Sequence, residues 1–566
     1  MMEIKVDSQP IPRSGGRILV DQLKRQGVSQ VACVPGESYL AALDALYESN
    51  VEVTICRQEA GAAILAQTLG RLTGRPGICF VTRGPGAMNG AHGVHIAEHD
   101  SAPMIFFIGQ VERAMLGRGA FQEMDYRAVF GSTAKWVTEI DDAARIPEII
   151  QRAFHVAMQG RPGPVVIALP EDVLTDMASV VDAERVAPAP IWPGLTQMAD
   201  LQKLLWAAER PIVIPGGGGW SEKAGAALMR FAERFDLPVA ASFRRASLVD
   251  NDHANFVGEI GIGPNPKLRA RIEAADLVVL MGGRMSEMAS QNYALFATPT
   301  PRQKLVHIHA DASEIGRVYH PTLGIVATPT AFAASLEGMQ PPNSIAWSAA
   351  TRQARDEFLA WSDNPAVGPG KLDMAKVMLA LRRLAPDATY TNGAGNFALW
   401  PGRFLRFRRF DQQLGPTSGS MGFGLPAALA AQFHDRARDV ICFSGDGDFL
   451  MNGQEFATAV QYDLPIVVVV VDNGMYGTIR MHQEREYPGR VSGTALKNPD
   501  FAAYARAFGG HGERVETTEE FEPAYLSAKR SGKPAILHCL VDPDAITPST
   551  TLSAIRRAAE AKATIR

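Results

Sequence analysis

Short apolar runs recur along the chain at residues 78–82, 104–108, 165–169, 212–215, 277–281, 305–309, 440–443, 466–471 and 535–541, separated by stretches with helical spacing. A run that is apolar at successive positions suits a strand covered on both faces, as in parallel sheets flanked by helices. The alternation predicts an α/β protein built from doubly wound parallel sheets. Proline-rich stretches interrupt it at 186–194 (VAPAPIWPG) and 340–343 (QPPN), the second extended by 365–370 (PAVGPG). Such segments resist helix and ladder pairing. They mark off three predicted domains, 10–185, 190–345 and 365–550. No short tandem repeat is visible, and residues 554–566 read as a basic, exposed helix.

Length agrees with this division, since 566 residues exceed what one hydrophobic core organises. A net charge of −4 with interspersed signs gives no footprint for nucleic acid. The apolar run at 466–471 falls far short of the ~20 residues of a membrane span. The N-terminal stretch MMEIKVDSQPIPRSGGR lacks the apolar region of a signal peptide. Five cysteines, Cys33, Cys56, Cys79, Cys442 and Cys539, form no CxxC pair and sit mostly in apolar runs. They are expected to be buried reduced thiols of a cytoplasmic protein.

The densest chemistry lies between Ser444 and Gly477, SGDGDFLMNGQEFATAVQYDLPIVVVVVDNGMYG. A strand at 440–443 runs into Gly445-Asp446-Gly447, a helix follows at 454–461, and a second strand at 466–471 ends at Asp472-Asn473. This is one βαβ unit, whose crossover makes the strands parallel and brings both C-terminal ends to one sheet edge. Ligands of open α/β sheets bind at that edge. Asp446 offers a carboxylate and Asn473 an amide oxygen, the donors a small hard cation such as Mg²⁺ takes beside phosphate and water. Gly445 and Gly447 let backbone approach a phosphate.

The GDG pattern followed by this Asn resembles the diphosphate-binding motif of thiamine diphosphate enzymes. That resemblance implies thiamine diphosphate and Mg²⁺ as cofactors, with the backbone carbonyl of Met475 as third protein ligand. Tyr476 and Gly477 close the motif. Asp448 departs from the pattern, where a small residue is common. The family also uses a glutamate to drive the cofactor's aminopyrimidine into its imino form. Glu59, in ICRQEAGAAILAQTLGRLTGRPG, matches it, although Gln58 replaces the usual histidine. Taken alone, Glu59 reads equally as a glutamate at a helix N-terminus.

The resemblance covers nearly the whole chain and is nearest the acetolactate (acetohydroxyacid) synthase-like group. VPGES at 34–38 resembles its first glycine turn, with Gly36. GPGAMN at 84–89 resembles the helix start under the pyrimidine, with Pro85 and Asn89. AFQE at 120–123 resembles the segment reaching the active site, with Phe121 and the polar Gln122. Gly395-Asn396-Phe397 resembles a diphosphate-contacting turn. TSGSMGFGLPA at 417–427 resembles the segment, here with Gly419 and Met421, whose methionine bends the cofactor. The family's site lies between the first domain of one subunit and the third of another, which implies a homodimer or homotetramer.

Departures bear on substrate and flavin. His482 stands where biosynthetic members carry a tryptophan that restricts the acceptor. Gly216–Gly219 and Gly283-Arg284 resemble FAD contacts, but Gly263 and His309 replace a common histidine and aspartate. The central crevice is therefore expected to hold substoichiometric FAD or none, and otherwise to be empty or take an ADP- or CoA-type ligand. His92, His95 and His99 lie at helical spacing, either as zinc ligands or as a packed helix with His92 as one active-site contact. Arg480, His482 and Arg485 form either an acidic-substrate site or a solvated face. The resemblance implies decarboxylation of a 2-keto acid such as pyruvate and joining of the remaining unit to an aldehyde or second keto acid. A 2-hydroxyacyl-CoA lyase, a 2-keto acid decarboxylase and a non-catalytic cofactor-binding subunit are the alternatives.

Overall fold

The computed structural model describes residues 11–565, with side chains as far as Lys562. Most of the N-terminal stretch read for a leader, residue 10 at the first predicted boundary and Arg566 lie outside the described residues. The chain forms three six-stranded sheets, all parallel, with helices packed on them. Across the first sheet the strands run Glu52–Ile55, Gln30–Cys33, Gly77–Val81, Met104–Gln110, Pro164–Pro170, Trp136–Glu139. Across the third they run Gln413–Leu414, Thr389–Asn392, Val440–Gly445, Val467–Asp472, Ala535–Leu540, His511–Val515. Both follow one order: second, first, third, fourth, sixth, fifth. The central sheet differs, running Phe256–Ile260, Val239–Ser242, Pro211–Pro215, Leu277–Met281, Lys304–His309, Leu323–Val326.

In each sheet the strand order reverses beside the first strand, at a crevice where crossovers leave to opposite sides and ligands bind. In the first sheet that crevice separates Gln30–Cys33 from Gly77–Val81, and in the third Thr389–Asn392 from Val440–Gly445. In the central sheet it lies between Pro211–Pro215 and Leu277–Met281.

All nine apolar runs are strands to within two residues at either end. Of the strands that pattern did not mark, some are apolar, as Phe256–Ile260 (FVGEI) and Leu323–Val326 (LGIV), and others are largely polar. Trp136–Glu139 is half-buried throughout at an edge, and Thr389–Asn392 is TYTN, fully buried with its polar groups paired.

One compact unit ends at Ala189 and a second begins at Pro190, inside the first proline-rich stretch. The second stretch is no clean break. Helix Ser348–Asp363 fills it and packs on the central sheet's edge, with Phe358 edge-on to Phe256 at 5.1 Å and Trp347 Nε1 donating to Phe235 O at 3.0 Å. The terminal helix, Leu552–Ile565, is not simply exposed as expected. Leu552 is buried in a small apolar cluster with Met475, Met481 and Ile546, and Ile555 packs against it. All five cysteines are buried and none forms a disulfide. Among the described residues no helix is long and apolar enough to cross a membrane.

Candidate active site

The third sheet carries the residues of the GDG pattern and the Asn that follows it. Gly445 pairs with Val471, so Asp446 leaves its strand beside Asp472, and Asn473 follows at the same edge. Asp446 opens the short helix Asp446–Phe449 and is 3% exposed. Burial, with the Asp472 charge adding, pushes its carboxyl up to about 6 against the hydrogen bond from Asn498. Asn498 Nδ2 bridges the pair, donating to Asp446 Oδ2 at 2.7 Å and Asp472 Oδ1 at 2.8 Å. Burial would also raise Asp472, but His538 Nε2 at 2.9 Å, Asn498 and the Gly474 amide hold it below the ordinary carboxylate range. Two adjacent carboxylates are thus given different protonation preferences by their partners.

The loop after Asn473 is pinned from outside. Met475 bridges Ala495, Tyr476 N donates to Thr494 O at 2.9 Å, and Leu496 N donates to Gly474 O at 2.8 Å. Asn473 Oδ1 accepts from the Met475 amide at 3.2 Å. Gly447 is required by the approach of Tyr476, whose Cε1 would lie 2.5 Å from a Cβ there. Gly477 starts the next helix, against Asn473 and Ile546.

Asp448 is buried and turned onto backbone. Its Oδ1 accepts from Gly422 N and Ala394 N, each at 3.0 Å, and burial pushes its carboxyl up to about 6. One oxygen therefore joins two loops: the turn with Gly395, Asn396 and Phe397, and the segment with Gly419 and Met421. Phe397 lies against Gly395 and Gly445, and Asn396 N donates to Thr478 Oγ1 at 3.0 Å. Gly419 is exposed with φ 71°, and Met421 is half-buried.

Helix Gly477–Glu486 carries the predicted specificity residues. His482 and Arg485 are exposed. Arg480 Nε donates to Glu484 Oε1 at 2.8 Å, and Arg556 of the terminal helix also grips Glu484. Glu484 is fully buried, and Arg556 foremost lowers its carboxyl to about 2. Arg480 is thus committed to an ion pair within its own helix.

The first sheet carries the predicted glutamate. Glu59 begins helix Glu59–Thr73, and Gln58 caps it, its Oε1 accepting from Ala60 N at 2.5 Å and Gly61 N at 3.3 Å. The residue replacing the family's histidine is therefore a helix cap. Asn89 Nδ2 donates to Glu59 Oε2 at 3.0 Å. Gly86 leaves room beside the carboxyl, where a Cβ would lie 3.4 Å from Glu59 Oε1. Gly36, in the turn after Gln30–Cys33, backs onto Thr82. Pro85 and Asn89 are exposed on the first turns of helix Gly84–Asp100.

Gln122 adopts φ 63°, and its carbonyl accepts from Gly84 N at 3.1 Å. Glu123 ties that loop together through the Gly117 and Ala120 amides, which lower its carboxyl, and leaves Phe121 72% exposed. His92 is half-buried, and burial with the neighbouring His95 lowers its pKa. Among the described residues no three histidine, cysteine, aspartate or glutamate side chains are placed to hold a metal ion, the histidines of this helix included.

At the central crevice, Trp220 Nε1 donates to Gly216 O at 2.7 Å, and His307 Nε2 lies 3.0 Å from Gly283 O. Burial lowers His307 to about 4. His309 Nδ1 accepts from the Asp311 amide at 3.0 Å, closing its own loop, and Gly263 adopts φ 65°. Sequence reasoning missed Asn498, His538 and Glu484. His538 sits in the predicted strand at 535–541 and Glu484 in the helix of Arg480 and His482, where a lone polar residue gives no sign of its partner, and Asn498 lies in a segment with no pattern of its own.

The three sheets correspond to three known domains. Residues 13–129 match the N-terminal TPP binding domain of thiamine pyrophosphate enzymes, 198–336 the central domain and 393–539 the C-terminal TPP binding domain. Fold and site define a thiamine pyrophosphate-dependent enzyme that forms carbon–carbon bonds. The chain is 33% identical over 553 residues to the acetolactate synthase large subunit of Parasynechococcus marenigrum (strain WH8102), covering 93% of this chain and 87% of that protein. It is 30% identical over 541 residues to the acetolactate synthase isozyme 2 large subunit of Escherichia coli (strain K12), covering 94% and 96%. It is 30% identical over 573 residues to the mitochondrial acetolactate synthase of Schizosaccharomyces pombe (strain 972 / ATCC 24843), covering 95% and 85%. The chain belongs to the acetolactate synthase-like group of the thiamine pyrophosphate enzyme family.

Proposed function

We propose that this protein decarboxylates a 2-keto acid and joins the remaining unit to an aldehyde or a second keto acid. The observation that carries the reading is the pair of equipped crevices: Glu59 with Asn89 at the first sheet's edge, Asp446 with Asn473 at the third's. The donor set fits Mg²⁺, with a buried carboxylate at Asp446, an amide oxygen at Asn473 and the Met475 carbonyl in a pinned loop. When bound, thiamine diphosphate supplies the nucleophilic carbon and takes up the electrons released as CO₂ leaves.

The chain's residues do the rest. Glu59 holds a proton at the pyrimidine ring nitrogen, and Asn89 fixes which carboxyl oxygen is free for it. Gly36 lets its turn close onto Thr82 at that end. Gln122 and His92 steady charge at the substrate carbonyl. Gly395, Asn396 and Phe397 line the diphosphate, Gly445, Gly447, Tyr476 and Gly477 complete its cradle, and Asp448 spaces the loops around it. Met421 would be the side chain that supports the cofactor between its two rings. His482 and Phe121 shape the acceptor side, and Arg480 acts on it through its bond to Glu484.

Phe121 and Met88, 72% and 50% exposed near Glu59, support coverage by a second copy of the chain in a homodimer or homotetramer. The five cysteines, none in a disulfide, support a cytoplasmic setting. His309 and Asp311, bonded to each other in the central crevice, support substoichiometric FAD or none.

The test is product analysis after incubation with pyruvate, thiamine diphosphate, Mg²⁺ and a panel of aldehydes and keto acids. CO₂ release with a new 2-hydroxy-ketone or 2-hydroxy-3-keto acid is expected. No CO₂ and no ligated product from any pairing would overturn the reading, and cleavage of a 2-hydroxyacyl-CoA instead would reassign the substrate.

A further inference from the structure

Arg244 follows the central strand Val239–Ser242, yet its side chain ends among the loops of the third sheet. It is 6% exposed and its backbone takes the left-handed φ of 56°, uncommon for a residue with a side chain. Its Nη1 donates to Pro416 O at 2.6 Å and its Nη2 to Gly393 O at 3.0 Å. The guanidinium also lies 4.9 Å from the Phe243 ring centre. A planar fork with two donor edges is suited to holding two carbonyls at a set separation, which an ammonium cannot do.

Those carbonyls begin the two loops that Asp448 joins. Gly393 precedes Ala394, and Pro416 leads into 417–422; the amides of Ala394 and Gly422 both go to Asp448 Oδ1. Each loop is therefore held at its carbonyl from the central domain and at an amide from its own domain. Arg244 is itself anchored. Its amide donates to Glu259 Oε1 at 2.9 Å, Glu259 Oε2 accepts from Gln413 Nε2 at 3.3 Å, and Gln413 Oε1 accepts from Ala246 N at 2.9 Å.

We propose that Arg244 is a positioning residue of the thiamine diphosphate site: through it the central domain sets the spacing between the 393–397 turn and the Met421 segment. This rests on the cofactor reading above and gives the central sheet a part in catalysis independent of any flavin. Misplacement by about 1 Å at a reacting centre costs about 10²-fold in rate. The effect therefore belongs to the bound cofactor's geometry as much as to its affinity.

The experiment compares wild type, Arg244→Lys, Arg244→Gln and Arg408→Gln. The last removes an exposed ion pair between Arg408 and Asp252 that joins the same two domains away from these loops. Thiamine diphosphate affinity with Mg²⁺ is measured by calorimetry, and deuterium exchange at the thiazolium carbon is measured at saturating cofactor. The expected result for folded Arg244 variants is about tenfold weaker binding and about 10²-fold slower exchange, with Arg408→Gln matching wild type. A folded Arg244 variant that binds and exchanges as wild type overturns the proposal. If neither variant folds, hydrogen-exchange mass spectrometry of the wild type decides. Peptides covering 242–246 should gain protection together with 393–397 and 416–422 when cofactor binds, and no change at 242–246 overturns it. Wild type that binds no thiamine diphosphate would instead overturn the cofactor reading.

Discussion

Asn89 donates a 3.0 Å hydrogen bond to Oε2 of Glu59, joining helix Glu59–Thr73 to the start of helix Gly84–Asp100, which follows the next strand. One carboxyl oxygen is committed to this bond, and the other faces the space that Gly86 leaves.

Glu59→Gln should bind thiamine diphosphate nearly as wild type and be almost inactive. The amide keeps size and hydrogen bonding but cannot pass a proton to the ring nitrogen. Turnover should fall by about 10²–10⁴-fold, in kcat rather than in binding. Deuterium exchange at the thiazolium carbon checks this directly, and exchange at the wild-type rate would remove Glu59 from the role.

Asp446→Ala should lose Mg²⁺ and thiamine diphosphate together, because the cation joins protein to diphosphate. Asn498 would still bond Asp472, so the fold should survive. Calorimetry showing wild-type cofactor affinity would exclude Asp446 as a ligand.

Removing Arg556 should loosen the terminal helix. Glu484 would keep Arg480 but lose its strongest partner while still buried, at a cost of about 1–3 kcal/mol. The pH dependence follows from Glu484, held at about 2, below its ordinary ~4.3. Its stabilising contribution is complete above the ordinary value and disappears as pH falls from there towards 2. Tryptic cleavage at Arg557 and Lys562 should be faster in Arg556→Ala at neutral pH, and an acid-stable protease should release the wild-type helix only below about pH 4.

His482→Trp should change the ratio of products from competing acceptors and leave cofactor affinity alone. His482 is exposed one turn beyond Thr478, which holds Asn396. An unchanged ratio would place His482 on a solvated face.

Purified protein should show substoichiometric flavin or none. His309 is engaged with the Asp311 amide. A stoichiometric flavin spectrum after gel filtration would overturn this.

The sheets were legible where burial was written in long unbroken apolar runs, and shorter or glycine-interrupted ones such as Phe256–Ile260 were passed over. Thr389–Asn392 was not legible either, because its burial rests on hydrogen bonds: Thr391 Oγ1 to Gly424 O at 2.7 Å and Tyr390 OH to Ala385 O at 2.8 Å. Asp446 was legible because strand, turn and helix surround it in one stretch. Asn498 and His538 were not, since each reaches the site from a distant segment and neither residue type announces a second carboxylate. At Gln58 the sequence records only a missing histidine, whereas the capping hydrogen bonds state what the glutamine does.

The third sheet is assembled out of chain order. Ala535–Leu540 lies between Val467–Asp472 and His511–Val515, and pairs with both. During synthesis the strand Val467–Asp472 therefore keeps one open flank until nearly the whole polypeptide has been made. Such non-local pairing is slow and exposes strand edges to aggregation. A truncation that removes residues from 535 onward would not trim the rim of the molecule. It would take an interior plank from the floor that carries Asp446 and Asn473, leaving His511–Val515 with nothing to pair with in that sheet.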